Sequence, residues 1–193
     1  GAGLPVGEPR GQALVDVGAG STEVSILSMH QVIATRSLQV AGQALDEAVR
    51  LHCLHAHELE LSLQTAREVK HRLGFAVPER AQGSFSPWGR ELVSGLPRQV
   101  ELNALEISQA LQEPLGRIAR GIQQALEHVP AGLAADLVDQ GLVLTGEGAR
   151  LKGLCDHLQQ TLELPFRIAD QPSTCAVLGA LQAKSSASLV LAS

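Results

Sequence analysis

Three predicted β-strands joined by very short links constrain the fold of this chain more than any other feature of its sequence. Alternating apolar and polar residues predict strands at 12–17, 23–28 and 31–40. A glycine-containing loop joins the first pair, and a turn near Met29 joins the second. A parallel crossover needs a dozen residues or more, so these three strands are expected to pair antiparallel.

The rest of the chain alternates predicted helices with shorter strands. A helix is predicted at 42–57, because Leu45, Val49 and Cys53 recur along one helical face. Gly74 is expected to end the next helix as its C′ residue, and Asn103 to cap a later one with Glu106 in a capping box. Further helices are predicted at 65–73, from 103 with a new start at Pro114, at 149–162 and at 173–183, and further strands at 99–102, 141–145 and 165–170.

The order of these elements predicts an α/β fold of the ribonuclease-H-like plan. If residues 42–102 are set aside, three antiparallel strands are followed by helix, strand, helix, strand and helix. We therefore expect a main subdomain formed by 11–41 and 103–193, and a small α/β subdomain inserted at 42–102. Residues 1–10 are rich in glycine and proline and are interpreted as a connector.

Composition excludes several classes of function. Apolar residues make up 45% of the chain and charged residues 18%, as in a packed soluble core. The net charge is −5 and aromatic residues reach only 2%, which argues against nucleic acid as a partner. Three cysteines without a CxxC motif favour a reducing cytoplasm over a disulfide framework.

The loop after the first strand carries a candidate phosphate site. Backbone N–H groups of a glycine-rich turn can converge on phosphate oxygens, and an aspartate at a strand end can hold hydrated Mg²⁺. The alternative is a plain hairpin with a solvated aspartate. The residues concerned are Asp16, Gly18, Ala19, Gly20, Ser21 and Thr22.

A second glycine motif follows the predicted strand at 141–145. Gly146 and Gly148 partly match a dinucleotide-binding fingerprint, and Asp170 lies near the position of its ribose-binding acid. Leu151 occupies the place of the third glycine, and too little chain follows for a dinucleotide fold. A dinucleotide oxidoreductase is therefore disfavoured.

The segment "LHCLHAHELE" contains metal-ligand residue types. On a helix, His52 and His55 share one face, while Cys53 and His57 share another. These faces diverge too far for a four-ligand site to close, so a solvated helix flank is the preferred interpretation.

Eight segments occur in this order along the chain: "GAGLPV", "ALVDVGAGSTEVSILS", "AGQALDEAV", "TAREVKHRLG", "GRELVSGLPR", "EISQALQEPL", "GLAADLVDQGLVLTGEGARLKGL" and "LPFRIADQPSTCAV". Together they resemble the MreB family of bacterial actins, within the actin-like ATPase superfamily, over roughly residues 1–183. The resemblance implies the second lobe of a cytoplasmic, membrane-associated protein. That protein binds ATP and magnesium, self-associates into filaments and directs the cell-wall synthesis machinery.

The resemblance also implies roles for particular residues. Asp16 to Thr22 correspond to the second phosphate loop, with Asp16 holding Mg²⁺ through water. Gly146, Glu147, Gly148 and Ala149 correspond to the adenosine loop, Gly42 lies near the ribose, and Lys70 lies on the helix beside the base. The first phosphate loop, the residue that positions the attacking water and the membrane contact belong to the first lobe, so these residues alone are not expected to hydrolyse ATP.

The sequence departs from the family pattern at several of these positions. Ala19 and Ser21 replace a glycine and a threonine, Glu147 replaces a glycine, and Gln43 and Arg67 replace acids. An alanine conflicts with a loop position that requires a positive φ, and a carboxylate repels phosphate. Two hypotheses follow: a nucleotide-binding filament subunit, or a related scaffold whose nucleotide site has degraded.

Overall fold

A mixed five-stranded sheet organises the computed structural model, which describes residues 1–190. The strands are β1 (Gln12–Val17), β2 (Thr22–Ser28), β3 (Gln31–Leu38), β4 (Leu59–Glu60), β5 (Ser84–Phe85), β6 (Trp88–Glu91), β7 (Pro97–Gln99), β8 (Leu102–Asn103), β9 (Leu142–Thr145) and β10 (Phe166–Ile168). The helices are α1 (Gly42–His57), α2 (Leu63–Leu73), α3 (Ala104–Ala110), α4 (Gln112–Leu126), α5 (Ala131–Gln140), α6 (Leu154–Leu162) and α7 (Cys175–Val190).

The central sheet has the strand order β10-β9-β1-β2-β3. β1 pairs antiparallel with β2 and β2 with β3, which confirms the predicted meander. β9 lies parallel to β1 on the other side, and β10 continues the parallel part. Met29 and His30 both have positive φ (51° and 61°), as a tight hairpin turn with right-handed strand twist requires. The predicted α/β fold class is confirmed.

One hydrophobic core runs from the sheet into the segment 42–102. The apolar stripe of α4, formed by Leu115, Ile118 and Ile122, is fully buried, and α4 packs against β2 and β3. In the segment 42–102, α1 packs on α2, and the short strands form a sheet β4-β6-β7 and a pair β5-β8. The described residues contain no helix that is both long and apolar enough to span a membrane.

Helix ends follow the local sequence closely in two places. α1 has the predicted bounds. At the start of α3, the Asn103 side chain accepts from Glu106 N–H at 2.9 Å, and Glu106 Oε1 accepts from Asn103 N–H at 2.6 Å. This confirms the predicted capping box, and Pro114 lies in the first turn of α4, where proline is tolerated.

Several local predictions were wrong. The single strand predicted at 99–102 is divided between β7 and β8, which lie in different sheets. The helix predicted at 149–162 starts only at Leu154, after a 3₁₀ turn at Glu147–Arg150. By contrast, α2 ends before Gly74 as predicted; glycine is needed at this position because a Cβ there would lie 2.4 Å from the Lys70 carbonyl oxygen. Helix α5 was not predicted at all.

Candidate functional site

A cavity of about 230 Å³ opens where the loop after β1 faces the segment after β9. These two strands are parallel neighbours, with Asp16 paired to Thr145, so their carboxyl ends meet at one edge of the sheet. The first turn of α1 and the last turns of α2 complete the walls. Six of the predicted site residues line this cavity: Gly18, Ala19, Gly42, Lys70, Glu147 and Gly148.

The other six predicted residues lie behind or beside the cavity wall. Thr22 is buried, and its hydroxyl donates to the Val40 carbonyl oxygen at 2.7 Å. Ala149 belongs to the core. Gly146 has φ +83°, and a Cβ there would lie 2.5 Å from Asp16 Oδ1, so the half-buried Asp16 carboxylate sits directly against this glycine. Gly20 and Ser21 are also outside the lining.

Backbone hydrogen bonds shape the loop after β1. Gly18 N–H donates to the Ser21 carbonyl oxygen at 2.9 Å, which closes a turn. Gln43 N–H donates to the Ala19 carbonyl oxygen at 2.7 Å and ties the loop to α1. Within the described part of the chain, the N–H groups of Ala19 and Gly20 have no acceptor. Ala19 does not have a positive φ, so the prediction of a strained backbone at this alanine was wrong.

Asp46 anchors the floor of the cavity, and sequence reasoning missed it. Its side chain is only 2% exposed, and Oδ1 lies 2.6 Å from Lys70 Nζ. Arg67 Nε donates to Oδ2 at 3.0 Å, and Lys70 Nζ also donates to the Gly42 carbonyl oxygen at 3.2 Å. Asp46 thereby fixes the lysine at the position where α1 meets α2. The sequence does contain a signal for this residue, because an acid stands next to the apolar positions that form the buried face of α1.

Glu147 lies on the side of the cavity formed by the segment after β9, and its side chain does not cap the 3₁₀ turn that it begins. Its carboxylate accepts from the Ser173 hydroxyl and lies 4.0 Å from the Arg150 guanidinium, and its side chain is 59% exposed.

The cavity as a whole is lined by four cationic side chains and two carboxylates. The excess of positive charge suits an anionic ligand.

Comparison with known proteins identifies the family. The family model described as "MreB/Mbl protein" matches residues 1–191. The cell shape-determining protein MreB of Escherichia coli (strain K12) is 38% identical over 93% of this chain and 52% of its own length. Mbl of Bacillus subtilis (strain 168) is 33% identical over 93% of this chain and 54% of its own length. The chain thus spans about half the length of these relatives.

Solved structures agree with the sequence relatives. MreB 5 of Spiroplasma citri bound to AMPPNP superimposes with a TM-score of 0.94 at 27% identity, covering 98% of this chain and 57% of that one. A MamK double helical filament, at 21% identity and a TM-score of 0.68, covers 84% of this chain and 50% of that one and shares the fold alone. The resemblance found in the sequence motifs is confirmed, and the chain belongs to the MreB/Mbl family.

Proposed function

We propose that this chain supplies one wall of an adenine-nucleotide site in an MreB-like bacterial actin. The observation that carries the proposal is the cavity in which the loop after β1, Lys70 and the segment after β9 converge. MreB 5 of Spiroplasma citri, which is similar over nearly the whole chain, has been solved bound to AMPPNP and to ADP. ATP and ADP are therefore the proposed ligands.

The chemistry of the cavity fits a nucleotide phosphate. The N–H group of Ala19, which lines the cavity, and that of the neighbouring Gly20 are available to phosphate oxygens. Lys70 offers a cation in the wall beside them. A side chain larger than that of Gly148 would collide with Val17, because a Cβ at this glycine would lie 2.4 Å from Val17 Cγ1. The loop from 146 to 149 is therefore held close against the end of β1.

Asp16 is the proposed magnesium residue. Asp16 is the penultimate residue of β1, and its carboxylate is half-buried and lies against Gly146. A ligand that holds the ion through water suits Mg²⁺, which retains several waters and takes one or two carboxylates. When bound, the ion would offset phosphate charge.

The same proposal assigns the wider role and the domain organisation. The relatives are named cell shape-determining proteins, and we extend that role to this chain as part of a longer filament-forming protein. We propose residues 11–41 and 103–193 as its main subdomain, with 42–102 inserted. Cytoplasmic location, contact with the membrane and action with the cell-wall synthesis machinery belong to the proposal for the whole protein.

Blocking the cavity mouth tests the proposal. Gln43 is exposed on the first turn of α1 and lines the cavity, so Gln43→Trp places an indole in its mouth without disturbing the core. We expect Mg-ADP and Mg-ATP to bind at least about tenfold more weakly, a loss of about 1.4 kcal/mol. Leu51→Trp, at an exposed position on the same helix away from the cavity, is the matched control. Calorimetric titration measures both.

Removing the charge of Glu147 should strengthen nucleotide binding. Glu147→Gln keeps the size of the side chain and its contact with the Ser173 hydroxyl. Because one negative charge near the phosphates is lost at a partly exposed site, we expect a gain of about 1 kcal/mol, several-fold in affinity. Ala19→Gly should change little, since Ala19 is not strained. Failure of both the wild type and the Glu147→Gln variant to bind either nucleotide would instead support the scaffold hypothesis.

A further inference from the structure

Two histidines of α1 and one glutamate of α3 form a cluster away from the nucleotide cavity. Glu106 Oε2 lies 2.8 Å from His57 Nε2 and 3.2 Å from His52 Nε2. The three ligand atoms all lie within 4.8 Å of one another. The side chains are 19–24% exposed, so the cluster is largely shielded but still open to solvent on one side.

The spacing of these atoms fits a small transition-metal ion. Zinc bonds of about 2.0–2.2 Å to nitrogen and oxygen at tetrahedral angles place neighbouring donor atoms about 3.3–3.5 Å apart. The two histidine–glutamate distances fall only slightly short of this, so small side-chain rotations would admit an ion. Two imidazoles and one carboxylate are a ligand set that proteins use for zinc, with water in the fourth position.

The carboxylate is already oriented for such a site. Glu106 Oε1 is held by the Asn103 N–H in the capping box, which leaves Oε2 directed at both imidazoles. Hydrogen bonds of this kind fix a metal ligand and raise its affinity for the ion.

Cys53, although it lies between the two histidines in sequence, is not a ligand. Its side chain is fully buried in the core, and its sulfur is not among the donor atoms that lie within 4.8 Å of one another. His55 is exposed and outside the cluster. The site therefore has three protein ligands.

We propose that His52, His57 and Glu106 bind a divalent transition-metal ion such as Zn²⁺. The ion would join the last two turns of α1 to the first turn of α3, across nearly fifty intervening residues of chain. A metal that closes a loop of this length favours the folded state, because it removes conformational freedom from the unfolded chain. Binding should raise the melting temperature as the zinc concentration rises.

Titration of Zn²⁺ into metal-free protein tests the proposal. We expect saturable one-to-one binding in calorimetry. His52→Gln and His57→Gln should each weaken it by at least about tenfold, since even an outer partner of a metal ligand contributes 10–100-fold. Glu106→Gln should do the same while keeping the helix cap, because glutamine also serves at this position of a capping box. His55→Gln, on the same helix, should bind zinc like the wild type.

X-ray absorption at the zinc edge gives a second measurement that needs no variant. It should show two imidazoles, further nitrogen or oxygen ligands and no sulfur. Absence of saturable binding to the wild type, unchanged affinity in all three ligand variants, or a sulfur ligand from any of the cysteines would overturn the proposal. A comparable loss in the His55 variant would also overturn it, because the binding would then depend on histidine content and not on this cluster.

Discussion

Asp46→Ala is expected to lower the free energy of unfolding by about 3–5 kcal/mol, the usual cost of removing one partner from a buried ion pair. The Lys70 side chain is only 11% exposed and lies 2.6 Å from the Asp46 carboxylate. Without that carboxylate, the Gly42 carbonyl oxygen is the one remaining polar partner of the ammonium group among the described residues, and it must compensate the lost hydration. Urea unfolding followed by circular dichroism measures the loss.

Two comparisons separate this effect from surface electrostatics. Glu68 and Arg72 form an exposed pair on the same helix that Lys70 occupies, so Glu68→Ala should cost at most about 1 kcal/mol. The double change Asp46→Leu with Lys70→Met should recover much of the stability, because a buried ion pair can often be replaced by apolar residues. A cost below about 1 kcal/mol for Asp46→Ala would contradict our account of a desolvated pair.

Gly146→Ala is expected to cost about 2–4 kcal/mol of stability, from a strained backbone and a collision together. Gly146 has φ +83°, and a Cβ there would lie 2.4 Å from the Val17 carbonyl oxygen. Since that oxygen belongs to the backbone at the end of β1, it cannot move without displacing the loop that lines the cavity. Thermal and urea unfolding would measure the loss, and weaker nucleotide binding should accompany it.

Substitutions at two other glycines separate the cost of backbone strain from the cost of the collision. Gly95 also has a positive φ (+70°), but a Cβ added there would meet only open space, so Gly95→Ala should show the backbone strain alone, about 1–2 kcal/mol. Gly132 lies in α5 with nothing within 4 Å of an added Cβ, and Gly132→Ala should be neutral or stabilising by up to about 1 kcal/mol. Equal costs at Gly146 and Gly95 would show that the contact with Val17 contributes nothing.

The sequence predicted best where local chemistry decides the structure. The capping residues of α3, the apolar face of α1 and the short links of the meander each specify their element without help from distant contacts. α5 was missed because glycine and alanine dominate its start and only Leu137 is deeply buried, so no strong apolar stripe marks it. The predicted start of α6 was wrong because residues 147–150 form a 3₁₀ turn and the Lys152 carbonyl oxygen accepts a hydrogen bond from the distant Ala76 N–H, a contact that the local sequence does not show.

The candidate site was predictable in part. Glycine loops that follow strands are visible in a sequence, and the parallel pairing of β1 with β9 brings them together. Asp46 was not visible, because its role depends on the packing of α1 against α2. The histidine cluster shows the same limit. The positions of the histidines and Cys53 around α1 alone predicted that no four-ligand site forms. The third side chain of the cluster, Glu106, comes from a helix about fifty residues away in sequence.

Helix α1 is a stiff rod whose two ends lie at different candidate sites. Its first turn, with Gly42 and Gln43, lines the cavity, and its last turns carry His52 and His57. The 16 residues of this helix extend about 24 Å, so a tilt of about 5° at one end displaces the other by about 2 Å. That displacement is comparable to a metal–ligand bond, so a ligand that fixes the angle of α1 at either end restricts the geometry available at the other, and any such coupling must act equally in both directions.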